Sequence, residues 1–265
     1  MSIDPKASVS SESEIGTEVS IGPNVVVEPG VVIGNGCRIG ANAVLKRGLL
    51  LGRQVTVCEG AVLGGEPQDL KFEGAESFAE VGDESVIREF ATIHRSAYDG
   101  GVTRVGRSCL LMAYGHVAHD CQLGDGVVIA SYAALAGHIH IESRAFISGG
   151  VVIHQFSHIG ELSMIGGGSK VNLDVPPYFM ADGFPVRAIG LNLVGLKRAG
   201  YGKDEIGALK RAFRLLYRSK LLLKEALERI DSLGTPTTQH LVEFIRSSER
   251  GICRSRQKMP PDPFG

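Results

Sequence analysis

The sequence predicts an all-β solenoid of short parallel strands over residues 1–190, followed by an α-helical domain over 191–265. Three observations predict it. An aliphatic residue recurs every six positions, small or β-branched residues fill a second column, and the chain has 35 glycines but no tryptophan. Counting every sixth residue from Ile3 to Val171 gives 29 positions, of which 26 are Ile, Leu or Val. A helix repeats every 3.6 residues and an ordinary strand every two, so neither sustains a period of six. Three short flat sides joined by tight corners do, with 18 residues to the coil and the aliphatics stacked inward.

The run opens Ile3, Val9, Ile15, Ile21, Val27, Ile33 and Ile39. Glycine follows 11 of the 26 aliphatics, which reads as corners where a residue without Cβ turns at little cost. The second column lies four residues after each aliphatic: Ala7, Ser13, Val19, Val25, Val31, Cys37, Ala43. Cys37, Cys109 and Cys121 fall in it and are expected to fill space rather than attack a substrate. The repeat breaks at Asp69, Ala75 and Asp99. Segments 64–80 and 96–104 therefore read as loops leaving the coil, and long loops on a rigid scaffold commonly carry function. After Val171 the period ends, and Asp174-Val175-Pro176-Pro177-Tyr178 reads as an extended exit. From about Asp204, Ile206, Leu209, Phe213, Leu216 and Tyr217 follow helical spacing. A second helix is expected from about Lys220 to Leu233, stopped by Gly234, and Thr235-Pro236 opens a third. Such helices would cover the open end of the solenoid.

The formal net charge is −1, which supplies no general attraction to nucleic acid or membrane. The polar stretch Met1 to Ser10 and the lack of any 18-residue apolar run predict neither signal peptide nor spanning helix. Five cysteines without a CxxC pair fit a reducing cytoplasm. Charge is uneven along the chain: residues 191–265 hold 15 Lys and Arg against 8 Asp and Glu. That excess suits an acidic partner, or is ordinary surface charge.

Seven of the eight histidines lie between 94 and 158: His94, His116, His119, His138, His140, His154 and His158. Residues 18 apart sit one coil apart, at about 4.8 Å. His119, Gly137 and Gln155 then form one column and Asp120, His138 and Phe156 the next, so His119, His138 and His154 are expected on one ridge. Three readings compete: surface histidines, a zinc site like that of the hexapeptide-repeat carbonic anhydrases, or general-base catalysis. In the last, a neutral imidazole takes a proton from a hydroxyl. A backbone N–H stabilises the oxyanion of an attacked thioester, and Gly137, lacking Cβ, permits close approach.

The runs QDLKF (68–72), TIHR (92–95), GHVAHDC (115–121), LAGH (135–138), HQF (154–156), DVPPY (174–178) and GLKRAG (195–200) occur in order and in phase with the six-residue period. With the helical tail they resemble the UDP-N-acetylglucosamine acyltransferase family, whose members begin lipid A synthesis, across essentially the whole chain. The resemblance implies a left-handed coil, a homotrimer with sites between neighbouring subunits, and no metal, cofactor or covalent enzyme intermediate. It makes His119 the base that deprotonates the sugar 3-hydroxyl, Asp120 its assistant, and Gly137 the amide facing the thioester oxygen. Asp69, Lys71, His94, His116, His138, His154 and Gln155 become substrate-positioning residues, Asn192 and Arg198 nucleotide-holding residues, and Gly167 a ruler for the acyl chain. The implied substrates are UDP-N-acetylglucosamine and a 3-hydroxyacyl chain on acyl carrier protein. Lys210, Arg211, Arg214 and Arg218 would meet that acidic carrier. Val194 and Ala199 depart from the family pattern, where many members carry glutamate and arginine, so the nucleotide contacts differ. A 3-amino acceptor sugar, an acyl-coenzyme A donor and a zinc-dependent hydratase stay open.

Overall fold

The aliphatic period becomes a run of two-residue strands, Ser2–Ile3, Ser8–Val9, Glu14–Ile15 and onward, in a computed structural model that describes residues 1–255. One residue of each pair faces in. Ile21, Val27 and Ile39 are buried, while their neighbours Ser20, Val26 and Arg38 are exposed. Each strand pairs in parallel with the strand one coil on, in registers such as Ile3↔Ile21, Val9↔Val27 and Ile15↔Ile33. Among the described residues the strands make three sheets of 11, 9 and 8, the sides of a left-handed parallel β-helix. The usual right-handed preference arises from twisted strands feeding long crossovers. Strands of two residues joined by single corners have little twist to impose it.

The corners turn at a different residue from the one the glycine pattern suggests. Left-handed torsions fall three residues after the aliphatic, at Glu18, Asn24, Gly30, Gly36 and Asn42. The glycine directly after the aliphatic serves coil stacking instead. At Gly34 an added Cβ would lie 2.3 Å from the carbonyl oxygen of Gly52 in the next coil.

Both excursions are present with tighter limits than expected. Val62–Gly65 and Phe78–Val81 bound the first, leaving 66–77, and Thr92–His94 and Val102–Val105 bound the second, leaving 95–101. The strands entering the loops run on past Leu63 and Ile93, and those leaving start well before Val81 and Val105, which shortens the loops. The registers absorb the insertions: Val57 pairs with Ile87 and Ile93 with Val117.

The exit after Val171 is more than a linker. Phe179–Asp182 extends the first sheet beside Met164–Ile165, and Arg187–Leu191 pairs back antiparallel. Among the described residues four helices follow: α1 (Leu193–Arg198), α2 (Lys203–Tyr217), α3 (Leu223–Asp231) and α4 (Pro236–Ser247). The sequence reading missed α1, and α3 begins later and ends sooner than expected. Thr235 caps α4 by accepting from the Thr238 N–H, with Pro236 in the first turn where no N–H is needed. Phe179, fully buried on the added strand, packs against the rings of Phe213 and Tyr217 at 5.3 and 5.9 Å. This covers the C-terminal end of the coil, while Ile3 at the other end stays 37% exposed. Cys37, Cys109 and Cys121 are buried, and burial pushes the Cys121 thiol up to about 12, which keeps it from acting as a nucleophile. No helix of the described residues is long and apolar enough to cross a membrane.

Candidate active site

The site grows from two adjacent corner columns. Asp120 and His138 occupy left-handed corner positions one coil apart, with φ of 61° and 60°, so each side chain projects from a tight turn between two strands. His119 Nδ1 lies 2.8 Å from Asp120 Oδ2, and both side chains are 12% exposed. The carboxylate is gripped from the preceding coil. The Ser96 hydroxyl donates to Oδ1 and the Ala97 N–H to Oδ2 at 3.2 Å, while the Asp120 N–H donates to Thr103 Oγ1 at 2.7 Å. Burial alone would raise the Asp120 carboxyl; the hydrogen bonds from Ser96, His119 and Ala97 outweigh it and hold it below the usual carboxylate range. An ionised carboxylate only accepts, so in the neutral imidazole it is His119 Nδ1 that carries the proton and Nε2 that has the lone pair. That reactive edge lies against Gly137: a Cβ there would sit 2.6 Å from His119 Cε1 and 2.7 Å from Nε2.

His138 stacks on Phe156 at 4.5 Å and meets His119 edge-on at 5.1 Å. Its Nε2 is 3.9 Å from Asp120 Oδ2. A coil earlier, His116 Nδ1 pairs with Thr92 Oγ1 at 2.8 Å, and the His116 and His94 rings meet at 5.2 Å. Burial pushes His116 down to about 4, with His94 and His119 adding to the effect, and it lowers His94 and His138 too. These three rings are therefore neutral hydrogen-bonding groups at neutral pH. The donor atoms of His119, Asp120 and His138 lie within 4.8 Å of one another, a span that could hold a cation. In this geometry His119 and Asp120 use theirs on each other.

The 66–77 loop brings Asp69 and Lys71. Asp69 accepts from the Lys71 N–H at 2.9 Å, and its charge reaches His138. Arg95 holds this loop, 3.4 Å from Glu66 and over the Phe72 ring at 5.4 Å. His94 adds a hydrogen bond to the Glu66 carbonyl.

Comparison with known proteins identifies the family. The family model described as UDP N-acetylglucosamine O-acyltransferase, domain 2, matches residues 174–253, and the six-repeat bacterial transferase hexapeptide model matches 12–47. The acyl-(acyl-carrier-protein)–UDP-N-acetylglucosamine O-acyltransferase of Gloeothece citriformis is 53% identical over 190 residues, 71% of this chain and 69% of that protein. The protein of that name from Thermodesulfovibrio yellowstonii is 43% identical over 251 residues, 94% of this chain and 97% of its own. The crystal structure of the UDP-N-acetylglucosamine acyltransferase from Bacteroides fragilis superposes with a TM-score of 0.93 at 41% identity, covering 95% of this chain and 100% of that one. The chain belongs to the UDP-N-acetylglucosamine acyltransferase family. It is an acyltransferase of the kind that opens lipid A biosynthesis.

Within this acyltransferase the structure gathers His94, His116, His119, Asp120, Gly137 and His138, with Asp69 close by. His154 lies at the end of a strand, two residues before the corner that Phe156 occupies, and it is exposed. Its Nδ1 meets the Gln155 carbonyl at 3.1 Å and Arg250 at 3.3 Å, and Arg250 also donates to that carbonyl at 3.0 Å. Asn192 caps α1, accepting from the Gly195 N–H and donating to the Leu162 carbonyl, both at 2.9 Å. Arg198 is exposed in the last turn of α1. Among the described residues, no side-chain hydrogen bond, ion pair or ring contact joins His154, Gln155, Asn192 or Arg198 to the histidine ridge. Sequence reasoning missed Ser96 and Thr103. For Ser96 the signal was the second inserted loop, which lengthens its offset to Asp120 from 18 to 24 residues; Thr103 lies after the insertion, 17 residues before Asp120 in the regular register.

Proposed function

We propose that this acyltransferase moves a 3-hydroxyacyl chain from acyl carrier protein to the 3-hydroxyl of UDP-N-acetylglucosamine, in the cytoplasm and as a homotrimer. The observation that carries the reading is His119, oriented by Asp120 with Nε2 free and set against the bare backbone of Gly137. Nε2 accepts the sugar hydroxyl proton as the oxygen attacks the thioester carbon. The resulting oxyanion faces the Gly137 N–H, and Asp120 stabilises the imidazolium. Collapse breaks the C–S bond, and His119 returns the proton to the carrier thiol.

Because His94, His116 and His138 are neutral, they position the acceptor by hydrogen bonding. Charge for the diphosphate falls to Lys71 and Arg198. Within one chain His154, Gln155, Asn192 and Arg198 make no side-chain hydrogen bond, ion pair or ring contact with the ridge, which fits a site completed by a neighbouring subunit. Gly167 fits a ruler role: a Cβ there meets only the Gly149 carbonyl, at 3.4 Å, and one on Gly168 meets nothing within 4 Å. A bulky side chain at 167 would project into open space. The division into a coil over 1–190 and a helical domain over 191–265 belongs to the same proposal.

The test is acyl transfer by the purified enzyme, offered UDP-N-acetylglucosamine or its 3-amino analogue. Val194, 60% exposed on α1, gives a nucleotide no polar contact, so the acceptor is the point to measure. His119→Ala is expected to cost about 10²–10⁴-fold in kcat with the fold kept, and chelation of metals to change nothing. Near-normal turnover of the variant would sink the base assignment, and loss of activity on chelation would favour a metal reaction.

A further inference from the structure

The second excursion, 95–101, is exposed at Tyr98, Asp99 and Gly100, yet Ser96 at its start is fully buried. A buried hydroxyl needs partners, and those of Ser96 lead to the reacting groups. Its single proton goes to Asp120 Oδ1, and its oxygen accepts the Tyr98 N–H at 3.1 Å. The next residue, Ala97, supplies the N–H on Oδ2, the oxygen that also meets His119. The Ser96 carbonyl accepts from the buried Ser77 hydroxyl, and its N–H donates to the Phe78 carbonyl at 3.2 Å, so Ser96 is anchored where the 66–77 loop re-enters the coil. Only glycine suits position 101, because a Cβ there would lie 2.1 Å from Ser96 Oγ.

We propose that Ser96 is a positioning residue for acyl transfer: its hydroxyl fixes the Asp120 carboxylate, and through it the orientation and tautomer of His119. A carboxylate rotates easily about its last torsion. With donors on both oxygens it cannot, and Oδ2 stays in line with His119 Nδ1. Without the Ser96 hydroxyl, Oδ1 is left short of a donor inside a buried pocket. The carboxylate then turns towards whatever donor remains, and the imidazole loses the bond that keeps Nε2 aimed at the acceptor hydroxyl. The hydroxyl itself never reaches the substrate.

This inference rests on the His119–Asp120 reading above, and its test separates the two. Ser96→Ala is expected to lower kcat roughly 10- to 100-fold, the scale of one hydrogen bond to a charged group. KM for both substrates should stay close to wild type, and the melting temperature should fall by only a few degrees, the cost of one buried oxygen left without its donor. The acid limb of the kcat/KM profile should move to higher pH, since a donor that holds the carboxylate ionised is gone. In an Asp120→Ala background, Ser96→Ala should cost nothing more. Gly101→Ala, which keeps the hydroxyl but crowds it, should reproduce the fall in kcat. Full kcat in Ser96→Ala, or an equal fractional loss with and without Asp120, overturns the role of Ser96 and leaves the dyad standing. Full activity in Asp120→Ala removes the dyad and this inference with it.

Discussion

At the scale of single residues, the site depends on an atom that is missing. His119 lies where a side chain at 137 would be, so Gly137 is required by clearance, whatever its amide contributes. Gly137→Ala would place Cβ 2.6–2.7 Å from the imidazole, closer than carbon atoms tolerate. The ring, as the end of a side chain, yields more readily than the coil backbone. The expected outcome is an intact fold with a melting temperature within a few degrees of wild type, and kcat lowered about 10²-fold by misplacing the base. Circular dichroism melts and steady-state kinetics check it, and a variant that transfers at the wild-type rate would show that His119 is not used where it lies. The pairing of His119 with Gly137 is legible in the sequence, because the two are one 18-residue coil apart. The partners of Asp120 are not. Ser96 and Ala97 lie 24 and 23 residues away, and only the length of the inserted loop relates them to the corner.

At the scale of elements, the strands are legible because their period of six is long and regular, and α2 and α4 because they carry apolar spacing or a Thr-Pro start. The six-residue α1 is too short for periodicity to show. The hairpin of Phe179–Asp182 and Arg187–Leu191 departs from the period that identifies every earlier strand. Nor does the sequence reveal how α4 docks. His240 on α4 puts Nε2 3.0 Å from Glu142 and Nδ1 2.8 Å from the Tyr178 hydroxyl, with Glu161 at 3.7 Å. Glu142 is also 3.2 Å from His158, Arg144 pairs with Glu161, and Glu243 adds charge from α4 itself. The hydrogen bond to Glu142 raises His240 above its ordinary value, against burial. Burial would raise Glu142, but its bonds to His158 and His240 bring it down to about 2. A raised histidine stabilises fully below its unfolded value near 6.5 and loses that as pH rises through the folded value; the lowered glutamate acts above 4.5 and fails as pH falls towards 2. The His240–Glu142 contact is therefore strongest at about pH 5–6. We expect His240→Gln to cost on the order of 1–2 kcal/mol there and progressively less towards pH 9. Thermal melts of both proteins across that range give the difference directly, and one that stays constant with pH would mean that the ion pair does not hold α4.

At the scale of the whole molecule, a net charge of −1 conceals a basic C-terminal third, and α2 shows how that charge is displayed. Leu209 and Phe213 are buried against the end of the coil, while Lys210, Arg211 and Arg214 are exposed. Arg218, four residues after Arg214, sits just past the helix as its C-cap. Between α2 and the chain entering α1 lies an open hollow of about 300 Å³, bordered by Leu191, Leu193 and Phe213, with Lys210 and Arg214 beside them. Apolar ground ringed by cations suits a small acidic protein better than a small anion, since it offers contact area as well as charge. On the carrier reading, this face steers the acyl donor to the site. Reversing Lys210, Arg214 and Arg218 to Glu should lower kcat/KM for the carrier-bound donor about tenfold or more at low ionic strength. The deficit should shrink towards 1 M salt, where screening acts within about 3 Å. Turnover with acyl-coenzyme A, which has no protein surface to dock, should not change. An unchanged kcat/KM for the carrier-bound donor at low salt would place the docking surface elsewhere. If acyl-coenzyme A is the better donor in the unmodified enzyme, the carrier itself is the wrong partner.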